Sequence, residues 1–220
     1  MNRPTNGLMN AFFMKLFEFD GNYFEDGQMS IAGVDEAGRG PWAGPVVAAA
    51  VVLARDTWIK GVNDSKKLTA SKREKLFVEI SQKALSVGVG VIGEDVIDNV
   101  NILQATYLAM KEAISRLSNV PVLVLVDGWP IPGLGIRQHA IIGGDGKSAV
   151  IATASIVAKV TRDRLMTEYS ARYPQYSFER HKGYGTKEHR DALALYGPCP
   201  LHRKSFAPVR EILEKMNGAA

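Results

Sequence analysis

Residues 122–126 read Val-Leu-Val-Leu-Val and run directly into Asp127 and Gly128. Five branched apolar residues in succession leave no polar face, so a strand built from them has to be covered on both sides. Helices on both faces of a sheet provide that cover, and the rest of the chain supplies them. Residues 31–35 and 46–53 read as two more strands, joined by a turn rich in glycine and proline. Residues 87–92 alternate valine with glycine as a third strand would, and a further strand is expected near residues 139–142. Ser71 with Glu74 offers a capping box ahead of Leu76, Phe77, Ile80 and Ala84 at helical spacing. Leu103, Thr106, Met110, Ala113, Ile114 and Leu117 fall on one stripe of a longer helix, and another helix is expected from about residue 149 to 168. The pattern specifies an α/β domain around a mixed sheet.

No repeat, low-complexity tract or Pro/Gly/Ser-rich linker divides the 220 residues, so we expect one globular unit. Residues 1–28 read as an N-terminal extension with a short helix around residues 12–19. A single cysteine, Cys199, forbids an internal disulfide and a structural zinc cluster, and points to a reducing, cytoplasmic setting. No apolar stretch reaches membrane-spanning length. The net charge is +4, and its distribution is uneven. Residues 159–210 hold eleven Lys/Arg against five Asp/Glu, with three of the four histidines, leaving the remainder slightly acidic. A basic flank beside an acidic site suits a protein that binds a polyanion.

The acidic site has candidates. Asp35 and Glu36 end one strand, Asp127 ends another, and Asp145 follows two glycines after a third. Ligand sites of α/β sheets gather at the carboxyl ends of strands. Four carboxylates meeting there would repel one another unless cations neutralised them, which makes a divalent metal the natural occupant. All-oxygen ligands suit Mg²⁺ or Mn²⁺, and two such ions about 4 Å apart support phosphoryl transfer. Gly38-Arg39-Gly40 follows the first pair at once, and glycines let a backbone approach a sugar-phosphate chain closely.

The segment IAGVDEAGRGPWAGP at residues 31–45 closely resembles the opening motif of bacterial ribonuclease HII. The resemblance continues, in the family's order, through NDSKKLT (63–69), VDG (126–128), the Gly-Asp at 144–145, ASIVAKVTRD (154–163), HKGYGT (181–186) and HRKSF (202–206). It implies a ribonuclease H-like mixed five-stranded sheet flanked by helices, with a helical C-terminal extension. Residues 29–215 would form the catalytic domain, of which about 170–215 would be a helical substrate-binding region. The implied activity is metal-dependent hydrolysis of the RNA strand of RNA-DNA hybrids, with cutting 5′ of ribonucleotides embedded in duplex DNA. Asp35, Glu36, Asp127 and Asp145 match the family's metal-binding carboxylates, with Mg²⁺ or Mn²⁺ as cofactor and two ions when substrate is bound. Gly38, Arg39 and Gly40 match the loop that reads the 2′-hydroxyl through its backbone, and Tyr184 matches the tyrosine that stacks on the deoxyribose following the ribonucleotide. Thr153, Gly143 and Cys199 are small departures from the family pattern and leave the four carboxylates intact.

Ser65 and Lys66 in the Asp-Ser-Lys-Lys turn, and Lys159 on the helix after Asp145, are expected to face phosphates. Arg203, Lys204, Lys182 and the nearby histidines are expected to form a diffuse electrostatic track, and His181 and His202 have no metal-site spacing. The expected partners are RNA-DNA hybrid and ribonucleotide-containing duplex DNA, bound by a monomer. Two rival readings are a ribose-insensitive metal-dependent nuclease of the same fold and a non-catalytic hybrid-binding module.

Overall fold

The structure is a computed structural model that describes residues 7–24 and 30–218, with side chains for 14–24 and 30–217. In chain order come α1 (Gly7–Gly21), β1 (Ser30–Ala37), β2 (Val46–Ala54), α2 (Ala70–Lys83), β3 (Ser86–Ile92) and α3 (Glu94–Ser115). There follow β4 (Val124–Asp127), β5 (Gln138–Ile141), α4 (Ala149–Arg172), α5 (Phe178–His181), α6 (Lys187–Tyr196) and α7 (Ala207–Gly218). The strands form one sheet in the order β3-β2-β1-β4-β5. β1 pairs antiparallel with β2 and β2 antiparallel with β3, whereas β1, β4 and β5 run parallel. The carboxyl ends of those three parallel strands therefore share one edge.

Both faces of the sheet are covered, as the apolar run at 122–126 requires. Leu123 and Leu125 pack with Ile31, Val51 and the apolar residues of α4, while Val124 and Val126 pack with Val34, Val46 and the alanines of α3. Burying such a side chain is worth about 1.5–3 kcal/mol. Val122 lies outside the strand and is 68% exposed. On β3 the valine-glycine alternation puts the glycines, and not the valines, on the inner face. Gly88 and Gly90 face α3 so closely that a Cβ on either would strike the Ala113 or Ala109 carbonyl, and Val87 and Val91 point outward.

Three local expectations are corrected. Thr69, and not Ser71, caps α2: its hydroxyl accepts from the Lys72 amide at 3.3 Å, while Glu74 reaches across to Arg164. The helix that carries the stripe starts just after a kink at Asn101, whose φ of +69° ends a preceding segment. Its side-chain oxygen caps the next by accepting from the Leu103 and Gln104 amides. Leu103, just past this kink, is exposed and not on the buried stripe. The N-terminal helix is longer than expected and belongs to the core. Leu16 is buried against the sheet side of α4, and the buried Asp20 accepts from the Val150 amide at 2.9 Å, satisfying an N-terminal donor of α4.

Burial pushes the Asp20 carboxyl up to about 7, against hydrogen bonds from Ser148, Val150 and Ala149 that lower it. The folded chain then keeps a proton that the unfolded chain releases near 3.8, so this group's stability is lost as pH rises between those values. Asp20→Asn keeps an acceptor for Val150 and cannot ionise. Its melting temperature relative to the wild type is expected to climb from pH 4 to pH 7 and then level off. A constant difference across that range in thermal melts would refute the argument.

The chain after α4 folds back as short helices around a small core of Ala43, Met166, Tyr176 and Phe178. His181, His189 and His202 are buried there, with the Nε2 atoms of His189 and His202 at 3.0 Å. Arg203 has no exposed surface at all. The expected electrostatic track thus fails for these four residues, which carry internal hydrogen bonds instead. Among the described residues, no helix is long and apolar enough to cross a membrane.

Candidate active site

Val34 pairs with Val126 across the parallel strands, so the next residues, Asp35 and Asp127, stand on adjacent strands at the same level. Asp127 is in register with Ile141 on β5, and the loop after β5 turns through Gly143 (φ +65°) to bring Asp145 back over the edge. One oxygen of Asp127 accepts from the Gly144 amide at 2.6 Å, which fastens that loop to β4. Carboxylate oxygens of Asp35, Asp127 and Asp145 all lie within 4.8 Å of one another. Glu36 stands at the margin of this triad. Its carboxylate lies 3.4 Å from Arg39, and it still feels the charge of Asp127.

The electrostatics are those of a site short of positive charge. Burial lifts Asp35 well above the usual carboxylate range, and the charges of Glu36 and Asp127 lift it further. Burial also raises Glu36, with Arg39 opposing and Asp127 adding to the shift. Asp145 is raised by burial, then by Asp64 and Asp127. Lys66 faces this cluster with its Nζ 3.6 Å from Asp145. Partial burial disfavours its charge, yet Asp145, Asp35, Asp64 and Asp127 together hold it above the ordinary lysine range. Converging hard oxygen donors that destabilise one another's charged forms fit a divalent cation of the Mg²⁺ or Mn²⁺ kind.

Other expected site residues divide. Gly38, Arg39 and Gly40 form the turn beside the triad, and a side chain on Gly40 would point at the Tyr184 ring, with Cε1 at 3.7 Å. Tyr184 is 46% exposed, and its carbonyl accepts from His189 Nδ1 at 3.0 Å. Ser65 does not face outward. It is buried with its hydroxyl 2.9 Å from that of Ser155, which in turn bonds the Asp35 carboxylate. Lys159 is held by Asp163 at 2.7 Å, with Arg73 on the other side of that carboxylate, and the structure does not aim it at the triad. Two contributors escaped the sequence reading. Asp64 lies in the Asp-Ser-Lys-Lys turn, which was read for its lysines, and Ser155 sits in an apolar helix with nothing local to mark it.

The geometry can be set beside known proteins. Residues 32–209 match the family model described as Ribonuclease HII. A ribonuclease HII of Caldicellulosiruptor bescii is 58% identical over 200 residues, covering 88% of this chain and 97% of the relative. The crystal structure of ribonuclease H2 from Pyrococcus horikoshii OT3 superposes with a TM-score of 0.72 at 30% identity, over 86% of this chain and 99% of that one. Bst-RNase HIII in complex with Mn²⁺ shares the fold, with a TM-score of 0.65 at 18% identity over 97% of this chain and 75% of that one. A five-stranded mixed sheet flanked by helices, with such neighbours, defines the ribonuclease H class of endonuclease hydrolases. Within that class, the chain belongs to the ribonuclease HII family.

Proposed function

We propose that this enzyme is a divalent-metal-dependent endoribonuclease. It hydrolyses the RNA strand of RNA-DNA hybrids and cuts 5′ of ribonucleotides embedded in duplex DNA, leaving 3′-hydroxyl and 5′-phosphate ends. The observation that carries this reading is the contiguity of three elements: the triad of Asp35, Asp127 and Asp145, the Gly38-Arg39-Gly40 turn, and the exposed Tyr184 ring.

Asp35, Asp127 and Asp145, with Glu36 beside them, would hold Mg²⁺ or Mn²⁺. A cation bound there supplies charge neutralisation of the scissile phosphate and a lowered pKa for an attacking water. Ser155 orients Asp35, and the Gly144 amide orients Asp127, so the donors are fixed before substrate arrives. Lys66 offers a mobile positive charge at the rim, suited to a phosphate oxygen. A protein tells RNA from DNA through the 2′-hydroxyl and helix shape, and the backbone of Arg39 and Gly40 is exposed at the distance of one turn from the carboxylates. The Tyr184 ring gives a sugar a face to lie against, which would make the region of about 170–215 a substrate-binding one.

The test is cleavage of a duplex carrying one ribonucleotide, beside an all-DNA control and an RNA-DNA hybrid, in Mg²⁺, Mn²⁺ and EDTA. Metal-dependent cutting 5′ of the ribonucleotide with the control intact is expected. Cutting of all three substrates would leave a ribose-insensitive nuclease, and no cutting with any metal would leave a binding module. In the same assay Tyr184→Ala is expected to lower cutting at the single ribonucleotide about tenfold more than cutting of the hybrid, in line with about 1–3 kcal/mol for an aromatic stacking contact. Equal losses on both would make the ring a packing residue only.

A further inference from the structure

A guanidinium with no exposed surface and no carboxylate within 4.0 Å, among the described residues, is an expensive thing to bury. Arg203 is such a group. Every hydrogen bond of its side chain goes to backbone carbonyls of the turn between β1 and β2: Nη2 donates to Gly38 at 2.6 Å and Gly44 at 2.7 Å, Nε to Gly44 at 2.9 Å, and Nη1 to Arg39 at 3.0 Å. Its own amide donates to the Trp42 carbonyl at 2.8 Å, and Phe206 covers the guanidinium face at 5.0 Å. Arg162 makes a second set of such bonds to Pro45, Ala43 and Lys182, gripping the far end of the same turn and the start of the Tyr184 turn.

The consequence follows from peptide geometry. No peptide bond among the described residues is cis, and in a trans peptide the N–H points opposite to the C=O. The Gly38 and Arg39 carbonyls point inward to Arg203, so the N–H groups of Arg39 and Gly40 point outward. Both residues are exposed, and neither amide has an acceptor among the described residues. Bonding a cation to the carbonyl end also polarises each peptide and strengthens its donor end. Lysine could supply the charge, but one ammonium on a flexible stem does not span three carbonyls as a planar fork does.

We infer that Arg203 is the positioning residue of the ribose sensor: it sets two adjacent peptide planes so that the Arg39 and Gly40 amides form an outward-facing donor pair for a sugar hydroxyl. This rests on the proposed reading of the Gly38-Arg39-Gly40 turn as that sensor. It assigns the sensing power to a residue some 160 positions away in sequence, which touches no substrate itself.

The experiment measures binding in Ca²⁺, a cation expected to occupy the site with little cleavage, to a duplex with one ribonucleotide and to the all-DNA duplex of the same sequence. The wild type is expected to prefer the first, and Arg203→Lys to lose at least tenfold of that preference while its Mn²⁺ affinity, measured without nucleic acid, stays within twofold. A retained preference in folded Arg203→Lys overturns the inference and leaves the sensor reading standing. No preference in the wild type removes the sensor reading itself. If Arg203→Lys does not fold, ¹⁵N NMR of the wild type decides. The Arg39 and Gly40 amides and the Arg203 Nε–H signal are expected to move together with the ribonucleotide duplex and not with DNA. Movement of the two amides without Arg203 overturns the inference.

Discussion

Asp127→Asn is expected to lower kcat by about three orders of magnitude while leaving hybrid binding within a few-fold of the wild type. Three decades correspond to about 4 kcal/mol of lost transition-state stabilisation. The shape argument is specific. One Asp127 oxygen accepts from the Gly144 amide, and an asparagine carbonyl can make the same bond, so the loop carrying Asp145 keeps its place. The substitution removes only the charge that faces Asp35 and Asp145 across less than 5 Å, which is the charge a divalent cation needs. Binding, on the proposed reading, rests instead on basic and backbone groups away from the triad. Single-turnover cleavage and anisotropy titrations measure the two quantities separately. Turnover at the wild-type rate would remove Asp127 from the site.

Asp35→Asn is expected to act in opposite directions on activity and stability. Since the proposed site makes Asp35 a buried member of the triad, the change should be as damaging to turnover as Asp127→Asn. In metal-free protein, however, the wild-type carboxylate is a liability. Burial and the neighbouring charges raise Asp35, Glu36 and Asp145 above their ordinary values, so the folded state holds protons that the unfolded chain releases. Groups raised in this way contribute stability at acid pH that is lost as pH rises through their folded values. The metal-free wild type should therefore weaken as pH rises from acid values, and Mg²⁺ or Mn²⁺ should restore it, more so at the alkaline end where protons no longer compete. Asp35→Asn should be more stable than the wild type without metal at pH 8 by about 1 kcal/mol, about 2–4 °C in a chain of this size. It should gain less from the cation. Thermal melts across pH with and without metal read both effects, and a metal-free variant that melts below the wild type would overturn the electrostatic account.

What could be read from the sequence follows the range of the interaction involved. The strand expected at residues 122–126, formed as β4, is legible because the burial of Leu123 to Val126 is written in consecutive side chains, and Asp127 follows directly. Asp35 and Asp145 are legible as carboxylates close to the carboxyl ends of strands, although β1 runs on to Ala37 and only its parallel register with β4 explains why Asp35 and Asp127 meet. The misreadings come from choices that a local pattern leaves open. Thr69 and Ser71 are equally good caps in isolation, and in the fold it is the Thr69 hydroxyl that accepts from the Lys72 amide. Leu103 falls off the buried stripe because it stands in the first turn after Asn101, whose side chain accepts from its amide and caps that segment. Arg203 and the histidines look like surface charge because nothing within several residues of them reveals that the β1–β2 turn lies overhead. Ser65 looks like a phosphate contact for the same reason, its partner Ser155 being 90 positions away.

The bond from Asp20 to the Val150 amide spans 130 residues. During synthesis α1 leaves the ribosome long before α4, its dock, exists. It must wait with Leu16 and its aromatic residues uncovered while most of the sheet is made. α1 is therefore expected to be among the last elements to settle, late in folding and early in unfolding. A nascent chain of this protein is expected to be exposed to chaperones and proteases over that interval, which closes only once α4, residues 149–172, has emerged.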